Sequence, residues 1–289
     1  MNQFERIPPT GLCNNSCQGC YVNSSVQLLN CIKPFIEYLN KISENDNMLL
    51  HRLKMLFVDL YKTTFQSIDT FYFLDCYQPQ TGDPNEFLLQ ILSDCSNCQS
   101  LQSIFEYQST CQCGKQIYFR RNETYKYLYN DGKNIELPEL VQSSLLEEHE
   151  CECGNISFLS PKIVTHPSYL ILLVSNGYFE DNQAKKRNQS LTQHRSIRYG
   201  SHEYHLQSMI THINGYDDGH CRCYVNTRNG WYGCDDTNVY QWNGILDTSA
   251  NEVVTTFLFK KEGIIDPPMQ FTKHTYEEYS TFLHQKQQK

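Results

Sequence analysis

Three groups of residues have the types and spacing that chemistry needs. The first is Gly19-Cys20-Tyr21-Val22-Asn23-Ser24, where a cysteine opens an apolar stripe at helical spacing. A thiol in the first turn of a helix feels the positive end of the macrodipole and unpaired backbone N–H groups, which favour the nucleophilic thiolate. The loop before it holds Asn14 and Asn15, whose amides, with backbone N–H groups, are suited to stabilising an oxyanion. Cys13 and Cys17 compete for the nucleophile's role, and a buried structural thiol is the plainer reading of Cys20 itself.

The second group runs from His212 through His220-Cys-Arg-Cys-Tyr-Val to Trp231-Tyr-Gly-Cys-Asp235-Asp236 and reads as strand, turn, strand. A hairpin whose turn is centred near Thr227–Arg228 puts His220 opposite Asp235, and a shift of the centre by one residue brings in Asp236 instead. Either pairing gives an imidazole oriented by a carboxylate, the base half of a Cys–His–Asp triad. The bland alternative is a surface histidine on a polar strand. The third group is Cys111-Gln-Cys113-Gly and Cys151-Glu-Cys153-Gly. Two such pairs on neighbouring hairpin tips make a tetrahedral four-sulfur site for structural zinc, though the CxC spacing is tighter than the usual CxxC. Unliganded thiols are the alternative, and Cys95-Ser-Asn-Cys98, with no partner pair, reads as structural.

Helices must come first. The stretch to Gly19 is loop-like; the stripe from Cys20 through Val26 and Ile32 predicts a helix that ends near Pro34. Phe35 to Asn40 and Met48 to Phe65 predict further helices, and Asn85 to Ser93 a short amphipathic one capped by Asp83. Beyond residue 101 the pattern turns to aromatic-rich strands, with Tyr169-Leu-Ile-Leu-Leu-Val a candidate buried strand. Residues 180–200 read as a loop and 266–289 as a polar, solvated tail. Helices followed by strands predict an α+β class rather than a doubly wound sheet.

The chain's 289 residues suffice for a sizeable core without disulfides, and its 20 Tyr and 15 Phe argue against disorder. A net charge of −8 disfavours nucleic acid as the main partner, since phosphate binding needs a basic face. There is no signal-peptide pattern at Met1 and no apolar run of membrane-spanning length, so no membrane association is expected. The 14 cysteines are then expected to be reduced thiols in a cytoplasmic or nuclear protein.

In combination the motifs resemble the ubiquitin-specific protease family of cysteine deubiquitinases. Gly11-Leu-Cys-Asn14-Asn15 … Cys20-Tyr21-Val-Asn23-Ser24-Ser-Val-Gln27 is similar to the family's cysteine box GLxNxGNTCYxNSxxQ with one inserted residue. His212, Gly215, Gly219-His220 and Tyr224-Val225 resemble its histidine box; Trp231, Cys234-Asp235-Asp236 and Val239 resemble its acid box. Asp83-Pro-Asn-Glu-Phe-Leu and Pro167-Ser-Tyr-Leu-Ile-Leu-Leu-Val resemble two further segments in the same order.

The resemblance implies one papain-like catalytic domain over 1–265, with thumb (about 1–100), fingers (about 101–165) and palm (about 166–265). It implies a monomeric thiol isopeptidase acting on ubiquitin or ubiquitinated proteins, with Cys20 as nucleophile, His220 as general base and Asp235, or its neighbour Asp236, as orienter. Asp83 and His212 match positions that hold the ubiquitin tail, and Cys111, Cys113, Cys151 and Cys153 stand where the fingers carry zinc. The insertion leaves the oxyanion residue as Asn14 or Asn15. The family's Thr before the nucleophile is Gly19, and its aromatic after the histidine is Cys221. An inactive ubiquitin-binding scaffold and a protease for SUMO or another modifier are the competing readings.

Overall fold

A computed structural model of the chain describes residues 8–15, 19–62, 67–77, 82–130, 136–180, 183–186, 194–214, 219–246, 251–266 and 268–288. A short strand, β1 (Gly11–Cys13), interrupts the loop expected before Gly19. The helices α1 (Cys20–Asn30), α2 (Lys33–Leu39) and α3 (Met48–Lys62) follow. Pro34 does not end the first helix. It lies in the first turn of α2, where its missing N–H has no partner to lose. Next come β2 (Ser67–Asp69), paired in parallel with β1, the four-residue helix α4 (Thr70–Phe73), and α5 (Pro84–Ser93), capped by Asp83 as expected.

α1 is the central helix: Cys20 to Leu29 are all buried. Its polar residues therefore need partners away from water. Gln27 donates to the Thr10 carbonyl at 2.7 Å and Ser25 to that of Tyr21 at 2.8 Å.

The middle of the chain forms β3 (Ser103–Thr110), β4 (Gln116–Glu123), β5 (Lys126–Tyr129), α6 (Leu137–Ser143), β6 (Glu147–Glu150), β7 (Ile156–Leu159) and β8 (Lys162–Thr165). β4, β3 and β8 make a three-stranded antiparallel sheet, and β6 and β7 a separate hairpin. The remainder supplies β9 (Tyr169–Ser175), β10 (Gly177–Glu180), β11 (Gln183–Lys186), β12 (Ser196–Tyr199), β13 (His202–Ile213), β14 (His220–Thr227), β15 (Gly230–Asp235), β16 (Asn238–Gln241) and β17 (Val253–Lys261). Part of the 180–200 stretch read as a loop is thus strand, β11 and β12.

The main sheet runs β16-β15-β14-β13-β17-β9-β5, with β12 beside β13. β9 reads as an unbroken apolar run because both of its faces are covered. Ile171 and Leu173 face the helices, while Leu170, Leu172 and Val174 join a second core with α6, β3 and β17. The helices-then-strands order is the α+β class read from sequence.

The expected solvated tail is not one. α7 (Lys273–Gln287) docks on α3 and α4, with Thr275, Tyr279 and Phe282 buried at helical spacing. Lys54 on α3, 1% exposed, is neutralised by Glu278 at 2.7 Å. Among the described residues no helix is long and apolar enough to cross a membrane.

Candidate active site

Cys20 occupies the first helical position of α1, with Gly19 as N-cap. Its thiol is pushed down to about 4, first by hydrogen bonding to the Cys221 thiol and then by His220, which together outweigh burial. Both groups come from β14, the strand packed along α1.

The β14–β15 hairpin brings the acid into place, with a register that differs from the expected one. Thr227 pairs with Gly230 and Cys223 with Cys234, so the turn is Arg228-Asn229, one residue later than predicted. Continuing that register puts Arg222 opposite Asp235 and His220 on the diagonal, still on the same face. The imidazole reaches across: His220 Nε2 donates to Asp235 Oδ1 at 2.5 Å. Arg222 Nε donates to the other carboxylate oxygen at 2.8 Å. Burial alone would raise the Asp235 pKa; the His220 hydrogen bond and the Arg222 charge outweigh it and hold the carboxyl below its ordinary range. His220 is raised to about 10, by the Asp235 bond first and then by Cys20. With Nε2 committed to Asp235, Nδ1 is the nitrogen left for the thiol.

Asp236 works on the other side of Cys20. It holds a left-handed backbone (φ 51°) at the turn between β15 and β16, uncommon outside glycine. Its carbonyl accepts from Leu12 N at 2.9 Å, and its carboxylate accepts from Asn14 Nδ2 at 2.9 Å and Asn23 Nδ2 at 2.8 Å. Asn14 is thereby fixed beside the nucleophile, where its Oδ1 accepts from Gly19 N at 2.8 Å. Asn15 turns away, donating to Asp69 Oδ2 at 2.9 Å. Cys13 directs its thiol to Ser67 Oγ at 3.4 Å, and Cys17 lies outside the described residues.

Two glycines make this stitching possible. A Cβ on Gly11 would stand 2.6 Å from the Thr237 carbonyl oxygen and 2.9 Å from its Cα, so only a bare backbone lets β1 approach the acid turn. Gly11→Ala is expected to lower stability by about 1–3 kcal/mol, as other overpacked sites do, and to reduce reactivity at Cys20. Denaturant titration alongside a thiol-alkylation rate checks both. At Gly19 a Cβ would stand 2.6 Å from Cε2 of Phe71, whose ring fills the space a threonine would use.

The model of one protein family, ubiquitin carboxyl-terminal hydrolase, matches residues 10–259. The chain belongs to the ubiquitin carboxyl-terminal hydrolase family. No individual curated protein matches it. The matched span starts just before Gly11 and ends within β17, so all the residues described above lie inside this hydrolase domain, and α7 lies beyond it. The family acts on ubiquitin or ubiquitinated proteins with cysteine-protease chemistry.

In this hydrolase chain the two candidate tail-binding residues approach from different elements. Asp83 caps α5, accepting from Asn85 N at 2.8 Å; its carboxyl is pushed upward by the protein packed around it although the residue keeps an exposed edge. A Cβ built on the adjoining Gly82 would lie 4.0 Å from the ring of Tyr21, next in sequence to Cys20. His212 is half-buried on β13, directly across from Cys221. Gly215, in the same histidine box, lies outside the described residues.

The paired cysteines do meet. Cys111 and Cys153 Sγ lie 3.5 Å apart, Cys113 and Cys151 Sγ 3.8 Å, and all four sulfurs fall within 4.8 Å of one another. A tetrahedral four-sulfur site with Zn–S of about 2.3 Å needs S···S edges of about 3.8 Å, so the donor set fits zinc. The tight CxC spacing is accommodated by two matching turns. Gly114 N returns to the Cys111 carbonyl at 2.8 Å and Gly154 N to that of Cys151 at 2.7 Å, with positive φ at both glycines. Hydrogen bonding from the Cys113 backbone, ahead of the neighbouring thiols, lowers Cys111 to about 6. At Cys151 the Cys153 backbone bond is outweighed by burial and the neighbouring thiols, which raise it to about 11, so one proton leaves the cluster readily and the next is held. Cys95 and Cys98 are buried, and desolvation pushes both thiols upward.

Sequence reasoning missed four contributors. Cys221 and Arg222 flank the catalytic pairing, and Arg222 shares a strand face with His220 at i, i+2, a readable signal. Asn23 stood inside the matched cysteine box with no role attached. Thr70, which donates to Asn23 Oδ1 at 2.6 Å, had no signal at all.

Proposed function

We propose that this family member is an active deubiquitinase that cleaves the isopeptide bond at the C-terminal glycine of ubiquitin with a Cys20–His220–Asp235 triad. The observation that carries the reading is the His220–Asp235 hydrogen bond at 2.5 Å beside a thiol at the first position of α1. The Cys20 thiolate attacks the glycine carbonyl carbon and the electrons move onto its oxygen. Asn14 is the side-chain donor suited to that oxyanion: one N–H of its amide is held by Asp236, which leaves the second free to donate. When the tetrahedral species collapses, the C–N bond breaks and His220 gives its proton to the departing lysine amine. Water, deprotonated by the same imidazole, then hydrolyses the thioester and releases the ubiquitin carboxylate.

Asp235 orients the imidazole and Arg222 holds Asp235. Asp236 is a positioning residue for Asn14 and Asn23. Asp83 and His212 are assigned to the ubiquitin tail, whose basic, extended character suits carboxylate partners. The lobes map onto a papain-like thumb, fingers and palm, with a structural zinc on Cys111, Cys113, Cys151 and Cys153. We assign the chain to the cytosol or nucleus, where these thiols stay reduced, and to a monomeric state.

Ubiquitin bearing a C-terminal electrophile tests the proposal. A single covalent adduct on Cys20, absent in Cys20→Ala, is expected. Labelling that survives Cys20→Ala places the nucleophile elsewhere, and wild type that binds but never reacts is the inactive scaffold. A SUMO-based electrophile that reacts in place of ubiquitin reassigns the modifier.

A further inference from the structure

The nucleophile's helix is braced from outside the family's matched span. α4 is only four residues long and cannot hold its own shape. Asp69 caps it, accepting from Phe71 N at 3.0 Å and Tyr72 N at 3.4 Å. One side of α4 is spent on the active site: Thr70 donates to the buried Asn23 Oδ1 at 2.6 Å, and Phe71 fills the space above Gly19, the residue before Cys20. The other side is held by α7. Phe73 stacks on Phe282 with ring centroids 5.5 Å apart, and Tyr72 meets Phe282 edge-on at 6.2 Å. Arg52 on α3 covers Phe282 at 4.6 Å, and Lys286 bonds Asp75, just past α4, at 2.7 Å. Phe282 itself is 3% exposed.

Without α7, Phe73 and Tyr72 would lose the surface they pack on, and α4 would be free to shift away from Gly19 and Asn23. Asn23 also donates to Asp236 and to the Cys13 carbonyl, so a shift there is passed directly to the loop that presents Asn14 and Cys20.

We propose that Phe282 is a positioning residue of the active site, acting through Phe73 and α4 on the Gly19–Asn23 turn that carries the nucleophile. The inference rests on Cys20 being the reactive thiol; it does not depend on which modifier is cleaved.

The test compares full-length wild type, Phe282→Ala, Phe71→Ala and the double variant. The readouts are the pH dependence of Cys20 alkylation by iodoacetamide, followed on the Cys20 peptide by mass spectrometry, and kcat and KM on a fluorogenic ubiquitin substrate. Phe282→Ala is expected to raise the alkylation midpoint and lower kcat at least about tenfold with KM nearly unchanged. Phe71→Ala is expected to do the same, and the double variant no worse than either single, because both act at one turn. Phe282→Leu, which keeps an apolar contact but loses the ring stack on Phe73, is expected to show a smaller loss of the same kind, about threefold in kcat, and stands in if the alanine variant does not fold. Folded variants with wild-type alkylation profiles and kcat overturn the proposal, as do strictly additive losses. Wild type with no ubiquitin turnover defeats the proposed function alone, since the alkylation comparison still decides this one.

Discussion

Replacing His220 by alanine is expected to lower kcat/KM on ubiquitin conjugates by about 10³-fold or more, within the range that general acid–base groups contribute. Two things are lost together. The imidazolium is the acid for the leaving amine, and it is one of the groups that keep Cys20 ionised, after the Cys221 thiol. The pH profile gives the sign of each effect. With Cys20 lowered to about 4 and His220 raised to about 10, thiolate and imidazolium coexist between those limits and activity forms a broad plateau. Below the acid limit the thiolate takes up a proton and the nucleophile is lost. Above the alkaline limit the imidazolium gives up its proton and the leaving amine has no acid. In His220→Ala the alkylation midpoint of Cys20 rises, while the Cys221 hydrogen bond keeps it below that of an ordinary thiol. Asp235 retains Arg222 at 2.8 Å, so its carboxylate stays paired and the domain is expected to melt near the wild-type temperature. A plateau unchanged in His220→Ala would contradict the ion pair outright.

The meeting of His220 and Asp235 was legible because of a symmetry in strands. Predicting the hairpin turn one residue early moved the position opposite His220 by two, past Asp236 rather than onto it as expected, and a two-residue shift leaves a side chain on the same face. His220 and Asp235 therefore meet under either register, and what changes is that Arg222 takes the directly opposed place. Counting could not separate Asn14 from Asn15, because their different placement comes from Asp236 and Asp69, each of which holds one of the two amides.

α7 was misread for a different reason. Its exposed surface is densely polar, which hides a narrow buried stripe of Thr275, Tyr279 and Phe282 behind an N-cap, Thr272, that accepts from Thr275 N at 3.0 Å. Polar composition describes the outward face of a helix and says little about a seam three residues wide. The fold also separates the cysteines that lie in the histidine and acid boxes. Cys223 and Cys234 are buried with strongly raised thiols, and among the described cysteines it is Cys221 whose thiol bonds Cys20.

Removing zinc, or replacing Cys153 by serine, is expected to unfold the β6–β7 hairpin while leaving Cys20 reactive. A two-stranded hairpin is marginal by itself in water. This one carries little core to compensate: Ile156 and Phe158 are 58% and 70% exposed. Apart from Leu159, buried in the second core, and the Phe119–His149 ring contact, its other ties to β3–β4 are polar. Arg121 grips Glu147 with two 2.7 Å bonds, and Lys115 meets Glu152 at 2.6 Å on the surface. Exposed ion pairs contribute about 0–1 kcal/mol each, whereas a structural zinc site contributes on the order of 10 kcal/mol in small metal-dependent domains. A zinc ion held there would therefore be the main link between the two hairpins. The purified protein is expected to hold one zinc per chain, and chelation to release it together with amide-exchange protection across Glu147–Glu150 and Ile156–Leu159. Cys20 alkylation should survive, because α1 and β14 pack in a core that the cysteine hairpins do not enter. Protein that contains no zinc, with all four cysteines alkylatable and those amides still protected, would show that the hairpins hold together without metal. The burden would then fall on the Phe119–His149 ring contact and the Arg121–Glu147 pair, which Phe119→Ala and Arg121→Ala can weigh directly.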